Sequence, residues 1–263
     1  MQTLSKQDVA TIAAQLDLAE TSATAVPMLS DKYPSMNMDD AYAIQDEIRR
    51  IKFDRGNTLA GLKMGFTSWA KMKQMGCDSP IRANLFDYFA LPDDSVFKVS
   101  DACHPRVEAE VAFVLKQPLS GPGIKIEDVI AATDFVIAAI EVIDSRFQNF
   151  KFDLPSVVAD NASSCRFVIG SRPVHIDKID LITAGASIRK NGEIVEIGTG
   201  AAVLGHPAQA VAMLANMLAE HGEHIPANTF IMSGGITAAV AVEPGDHICA
   251  EFQDMGDVNI RFS

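Results

Sequence analysis

Residues 106–115, RVEAEVAFVL, decide how this chain folds. Side chains alternate across the two faces of a strand, so Val107, Ala109, Val111, Phe113 and Leu115 share one face. Glu108 and Glu110 share the other with Ala112 and Val114. Two carboxylates at i and i+2 lie only about 7 Å apart along a strand and repel each other unless they face water or share a cation.

The same rhythm continues downstream, in short runs rich in Val, Ile and Phe separated by Pro, Gly and Asp, which predicts a strand-dominated unit. Its clearest local signal is SIRKNGEIVEIG, residues 187–198. There Asn191 and Gly192 supply the positive φ angles of a type I′ hairpin turn. One helix interrupts the strands in HPAQAVAMLANMLAEHG, with Pro207 in its first turn and Gly222 beyond its end. The last third reads as strands FIMSG, AAVAV, HICAEF and VNIRF joined by EPGD and DMGD turns.

Upstream, residues 4–18 and 39–54 are predicted helices, the second with Ala43, Ile44, Ile48 and Ile51 at helical spacing. TLAGLKMGF then reads as a strand, and SWAKMKQMG as a helical turn with Ser68 as N-cap and Gly76 as terminator. The change of pattern places a boundary near residue 80. Residues 1–80 form a helical N-terminal α/β part, and residues 81–263 a β-rich catalytic domain.

Composition narrows the partners. With 34 Asp and Glu against 22 Lys and Arg, the formal charge of −12 repels a phosphate backbone, so no nucleic-acid partner is expected. The N-terminus lacks the basic start and apolar run of a signal peptide, and no later stretch reads as long and apolar enough to span a bilayer. A cytoplasmic protein with no membrane partner is expected. Cys77, Cys103, Cys165 and Cys249 form no CxxC pair and read as reduced thiols. The six histidines show no HxH or HxxxH pairing and read as structural.

Glu141 interrupts the apolar run FVIAAIEVIDSRF, where an unpaired buried carboxylate costs several kcal/mol. Together with Glu108 and Glu110 it points to a hard cation, because oxygen-only ligands favour Mg²⁺ or Mn²⁺. The alternatives are a solvated sheet face for Glu108 and Glu110, and for Glu141 a salt bridge to Arg146 or another basic residue. Lys63 stands alone in AGLKMGF, where burial or a nearby metal would lower its pKa toward the neutral range, or it is a lysine on the exposed face of a half-buried strand. SGGIT, residues 233–237, offers backbone N–H groups with the Ser233 and Thr237 hydroxyls for a substrate carboxylate, or is a plain glycine-rich turn. DNASS, residues 160–164, is a pocket loop bearing Asn161 and Ser163, or a surface turn.

Several segments taken together resemble the 4-oxalocrotonate decarboxylases of meta-cleavage aromatic degradation and their sister hydratases in the fumarylacetoacetate hydrolase superfamily. They are GLKMGFTSWAKMKQMG, HPRVEAEVAFV, EVIDSRFQNFKFD, SVVADNASS, GAAVLGHP and GEHIPANTFIMSGGITAAVAV, spread over nearly the whole chain. The resemblance implies an α+β fold, a mixed β-sandwich or roll with a smaller N-terminal α/β part. It implies Mg²⁺ or Mn²⁺ held by Glu108, Glu110 and Glu141, with Lys63 and Asp78 catalytic. Ser233 and Thr237 are implied as contacts for the substrate carboxylate. The implied substrate is a small 2-oxo dicarboxylic acid, 2-oxohex-3-enedioate, and the implied partners are further copies of the chain, a 2-hydroxypentadienoate hydratase, or both. Two other readings stay open, a hydratase acting on a 2-hydroxydienoate, and a non-catalytic subunit that stabilises a partner hydratase.

Overall fold

A computed structural model describes residues 2–263. Its helices include, in chain order, α1 (Lys6–Thr21), α2 (Met38–Asp54), α3 (Trp69–Met75), α4 (Leu154–Ala159) and α5 (Pro207–Ala219). The longer strands are β1 (Leu59–Gly65), β2 (Ile81–Phe86), β3 (Arg106–Leu115), β4 (Thr133–Ile143), β5 (Ser164–Ile169), β6 (Gly185–Lys190), β7 (Glu193–Thr199), β8 (Phe230–Gly235), β9 (His247–Phe252) and β10 (Gly256–Phe262).

Local chemistry accounts for the helix ends. Ser5 accepts from the Asp8 N–H to start α1, and Asn37 and Asp40 cap one another reciprocally at the head of α2. Ser68 accepts from the Lys71 N–H, and Gly76 closes α3 at φ 65°, as its sequence predicts. The predicted hairpin joins β6 to β7, with Asn191 at φ 56° and Gly192 at φ 89°. Of the predicted strand AAVAV, only Val240–Ala241 pairs, against β3.

The strands form a nine-stranded mixed sheet, whose central order is β2–β1–β8–β3–β4–β5, and a five-stranded sheet ordered β7–β6–β9–β10 before its short last strand. The two sheets and α5 enclose the main apolar core, into which β3 sends Val107, Ala109, Val111, Phe113 and Leu115. A second core lies under α1 and α2, where Ile12, Leu16, Ile44 and Ile48 meet Ile81, Phe147 and Val157. The architecture is α+β. β1 and β2 lie on either side of residue 80 and pair with each other antiparallel, so the large sheet runs across the boundary expected there.

One expectation about apolar length needs correcting. Residues Gly200–Ala219 are long and apolar enough, by length and composition, to cross a membrane. Within α5, Ala208, Val211, Leu214, Ala215 and Leu218 are buried against the sheet, so the apolar length serves the core.

A buried ionic knot fastens the chain that follows β4. The Arg146 guanidinium donates to the Asp160 carboxylate at 2.5 Å, to Asp144 O at 2.6 Å and to Ser164 O at 2.8 Å, with Arg146 only 2% exposed. Removing the acid leaves a desolvated guanidinium without its counter-charge, which is strongly destabilising. Asp160→Asn is therefore expected to lower stability by about 3–5 kcal/mol. Urea unfolding would show a midpoint shift of that size, and a loss under 1 kcal/mol would contradict a buried pair.

Candidate active site

β3 and β4 run antiparallel with Glu108 directly opposite Glu141, and Glu110 lies two residues further along the same face of β3. One carboxylate oxygen from each of the three lies within 4.8 Å of the others. Glu110 is fully buried; its Oε2 accepts from the Gly234 N–H at 2.8 Å, while its Oε1 is buried with no hydrogen-bond partner. Gly234 can make this approach because it has no side chain: at φ +107°, a Cβ would stand 1.9 Å from Thr67 Oγ1.

The cluster contains one cation. Lys63, on β1, reaches across the sheet to pair with Glu141 and donates a second hydrogen bond to Ala162 O at 3.1 Å. Both partners of the ion pair are almost wholly buried. Arg146, the other partner considered for Glu141, is taken by Asp160.

Burial and then the neighbouring Glu141 charge push the Glu108 carboxyl up to about 7, and the same two causes hold Glu110 well above the ordinary glutamate range. Three carboxylates against one ammonium leave an excess of negative charge in a desolvated place. With oxygen donors only and an orphaned Glu110 Oε1 among them, these residues fit a hard divalent cation.

The cluster opens into a cavity of about 610 Å³. Lys63, Glu108, Glu141, Ser163 and Thr237 all line it. Thr237 Oγ1 accepts from the Ala109 N–H at 3.2 Å, and the residue lines the cavity. Ser163 Oγ is buried without a partner, on a turn in which Asn161, Ala162 and Ser163 all have positive φ. Such backbone is costly for residues other than glycine and is typical of functional sites.

Three candidates lie elsewhere. The Ser233 hydroxyl is fully buried and donates to Val111 O at 2.8 Å, so it braces β8 on β3. The Asn161 side chain is spent on the Asn84 backbone, accepting from its N–H and donating to its carbonyl, both at 2.9 Å. Asp78 is exposed just beyond α3 and does not line the cavity. Conversely, sequence reading overlooked Arg106, Lys71, Phe150 and Phe152, all on the cavity wall. Arg106 was within reach, since it precedes Glu108 by two residues and therefore shares its strand face. Its guanidinium stands 4.1 Å from the centre of the Phe150 ring. Phe150 and Phe152 belong to a connecting segment with no periodicity to mark them.

Residues 83–263 match the fumarylacetoacetate (FAA) hydrolase C-terminal family. The chain belongs to the fumarylacetoacetate hydrolase family. Among curated relatives, a 4-oxalocrotonate decarboxylase of Pseudomonas putida is 57% identical over 99% of this chain and 98% of its own length. A 2-oxo-hept-4-ene-1,7-dioate hydratase of Escherichia coli is 37% identical over 95% of this chain and 96% of its own. Among solved structures, the 4-oxalocrotonate decarboxylase from Pseudomonas putida G7 complexed with magnesium and adipate superposes with a TM-score of 0.98 at 54% identity, covering 100% of both chains. The segment matching the fumarylacetoacetate hydrolase family holds all three glutamates, whereas Lys63 comes from β1, ahead of it.

The shifted carboxyls fix the sign of a pH effect. Without a cation, the folded protein holds the Glu108 proton more tightly than the unfolded chain, in which the group titrates near 4.5. The stabilisation is complete below that pH and is lost as pH rises through about 7. For Glu108 the loss is at most about 3 kcal/mol. Urea midpoints of chelator-treated protein are expected to fall between pH 5 and pH 8, less so in Glu108→Gln, and Mg²⁺ should offset the fall. Equal declines with and without Mg²⁺ would contradict a shared cation.

Proposed function

We propose that this protein is a divalent-metal-dependent carboxy-lyase of meta-cleavage aromatic catabolism. It converts 2-oxohex-3-enedioate (4-oxalocrotonate) to 2-hydroxypenta-2,4-dienoate and CO₂. The observation that carries this reading is the convergence of Glu108, Glu110 and Glu141 beside Lys63 at the wall of a cavity, with one buried Glu110 oxygen unpartnered. The similarity to 4-oxalocrotonate decarboxylases supports the choice of reaction.

Glu108, Glu110 and Glu141 would hold Mg²⁺ or Mn²⁺, which supplies Lewis-acid withdrawal of negative charge from an oxygen of the bound oxo acid. In the substrate the C5–C6 bond breaks and CO₂ leaves. The electron pair becomes the C4=C5 bond, the C3=C4 pair moves to C2=C3, and the 2-oxo oxygen takes the charge and then a proton. Charge thus travels from the C6 carboxylate to the 2-oxygen, so the site needs positive groups at one end and apolar walls at the other.

The cavity offers both. Lys63 has three N–H donors, two of them committed to Glu141 and Ala162 O, and the third is free to hold the 2-oxygen and deliver its proton. At the other end Phe150 and Phe152 line the cavity with the Arg106 guanidinium against the Phe150 ring; that cation holds the C6 carboxylate, and the apolar rings favour its conversion to neutral CO₂. Thr237 and Ser163 present hydroxyls that orient the C1 carboxylate. Asp78, Asn161 and Ser233 have no part in this mechanism.

The product is an enol that reverts to its ketone, so rapid transfer to a 2-hydroxypentadienoate hydratase would preserve it. We place such a complex, or a homo-oligomer, alongside the catalytic reading. The exposed Ile194, Val195 and Ile197 of β7, an edge strand, support a contact of this kind. Four unpaired thiols fit a reducing cytoplasm.

CO₂ release from 2-oxohex-3-enedioate by the purified protein is the test. Glu141→Gln and Lys63→Ala are each expected to lower kcat/KM by at least about 100-fold, about 2.7 kcal/mol of transition-state stabilisation. Chelator treatment should abolish CO₂ release, and Mg²⁺ or Mn²⁺ should restore it. Hydration of 2-hydroxypenta-2,4-dienoate without CO₂ release would identify a hydratase instead, and full activity in the metal-free protein would refute the mechanism.

A further inference from the structure

A second cavity, of about 260 Å³, lies on the opposite side of β1 and β2 from the catalytic lysine. Cross-strand pairing fixes the two faces. Lys63 stands opposite Ala83, whereas Leu62 stands opposite Asn84 and Met64 opposite Arg82, so Arg82 and Asn84 point away from the glutamate cluster.

Arg82 is 7% exposed, and no carboxylate among the described residues pairs with its guanidinium. Its guanidinium carbon stands 4.6 Å from the centre of the Tyr42 ring. A buried cation without a counter-ion is costly, and here it borders a cavity in a protein with 34 acidic residues available elsewhere. Two more donors stand beside it. Asn84, 1% exposed, has an amide nitrogen with no hydrogen-bond partner among the described residues, and Arg49 on α2, paired with Asp46 at 3.1 Å, reaches the same cavity. Leu59, Leu62 and Leu218 supply apolar surface on a wall that also includes Glu223, His224, Asn228 and Thr229.

We propose that this pocket binds a small carboxylate with a short apolar body. The carboxylate is held by Arg82 and Arg49 and by the Asn84 amide, and the apolar body lies against the three leucines. Guanidinium groups take a carboxylate through paired N–H donors, and the three leucines give a short apolar body surface that an inorganic anion cannot use. Glu223 also borders the pocket, at its exposed rim, and disfavours anions of higher charge.

Hexanoate and inorganic phosphate serve as probes in calorimetric titrations of the full chain at constant ionic strength. Hexanoate is expected to saturate the wild-type protein, to bind at least tenfold more weakly to Arg82→Met, and at least threefold more weakly to Arg49→Gln. Arg49 lies at the more exposed rim, so that variant tests the site even if Arg82→Met fails to fold. Hexanoate binding unchanged in both variants would belong to the catalytic cavity and overturn the proposal. Phosphate binding as tight as hexanoate binding would overturn the apolar part of the recognition. If neither anion saturates and Arg49→Gln or Arg82→Met instead changes the subunit number in sedimentation, these arginines serve a contact between copies, and the proposal fails.

Discussion

Three carboxylates on one face of a sheet, within 4.8 Å of each other and largely out of water, impose the constraint to which the surrounding structure answers. Mutual repulsion and desolvation both act against their ionisation, and both are visible in the raised titration of Glu108 and Glu110. Lys63 neutralises one charge, and the Gly234 N–H satisfies one oxygen. What is left over, including an unpartnered Glu110 oxygen, is the electrostatic demand that a hard cation meets.

Much of the architecture can be understood as support for that arrangement. Antiparallel pairing of β3 with β4 sets Glu108 against Glu141, and parallel pairing of β1 with β8 carries Lys63 into range. The Ser233 hydroxyl fastens β8 to β3, and Asn161 fastens its strained turn to β2, so that Ala162 O meets Lys63. Other buried charges are settled away from the cluster: Arg146 with Asp160, and Lys52 with Asp17 and Glu20 at 3.0 and 2.9 Å. This separation leaves Lys63 as the cation that pairs directly with the glutamates among the described residues.

Legibility in the sequence followed the range of the interaction. The hairpin at Asn191 and Gly192, the caps at Ser68 and Gly76 and the two-faced strand of Glu108 and Glu110 depend on neighbours a few residues away, and each could be read before folding. The placement of Asp78, Asn161 and Ser233 off the cavity lining could not be read locally, because a polar residue near a glycine or between apolar runs has the same local signature whether it meets a substrate or a neighbouring backbone. Asn161 finds its partners 77 residues away in sequence, and Ser233 finds its acceptor 122 residues away. Phe150 and Phe152 carried no signal, because a loop's path over a cavity is set by the elements it joins.

By itself the sequence determined α1, α2, α3 and α5, the hairpin of β6 and β7, the apolar and acidic faces of β3, and the oxygen-only chemistry of Glu108, Glu110 and Glu141. Those properties follow from backbone periodicity and from side-chain type, which every residue brings with it. Tertiary structure alone decided that Lys63 rather than Arg146 answers Glu141, that Arg106 and Lys71 border the cavity, and that Arg82 is buried with no carboxylate paired to it among the described residues. Pairing of charges depends on which strands become neighbours and in what register, and that is settled only when the whole sheet closes.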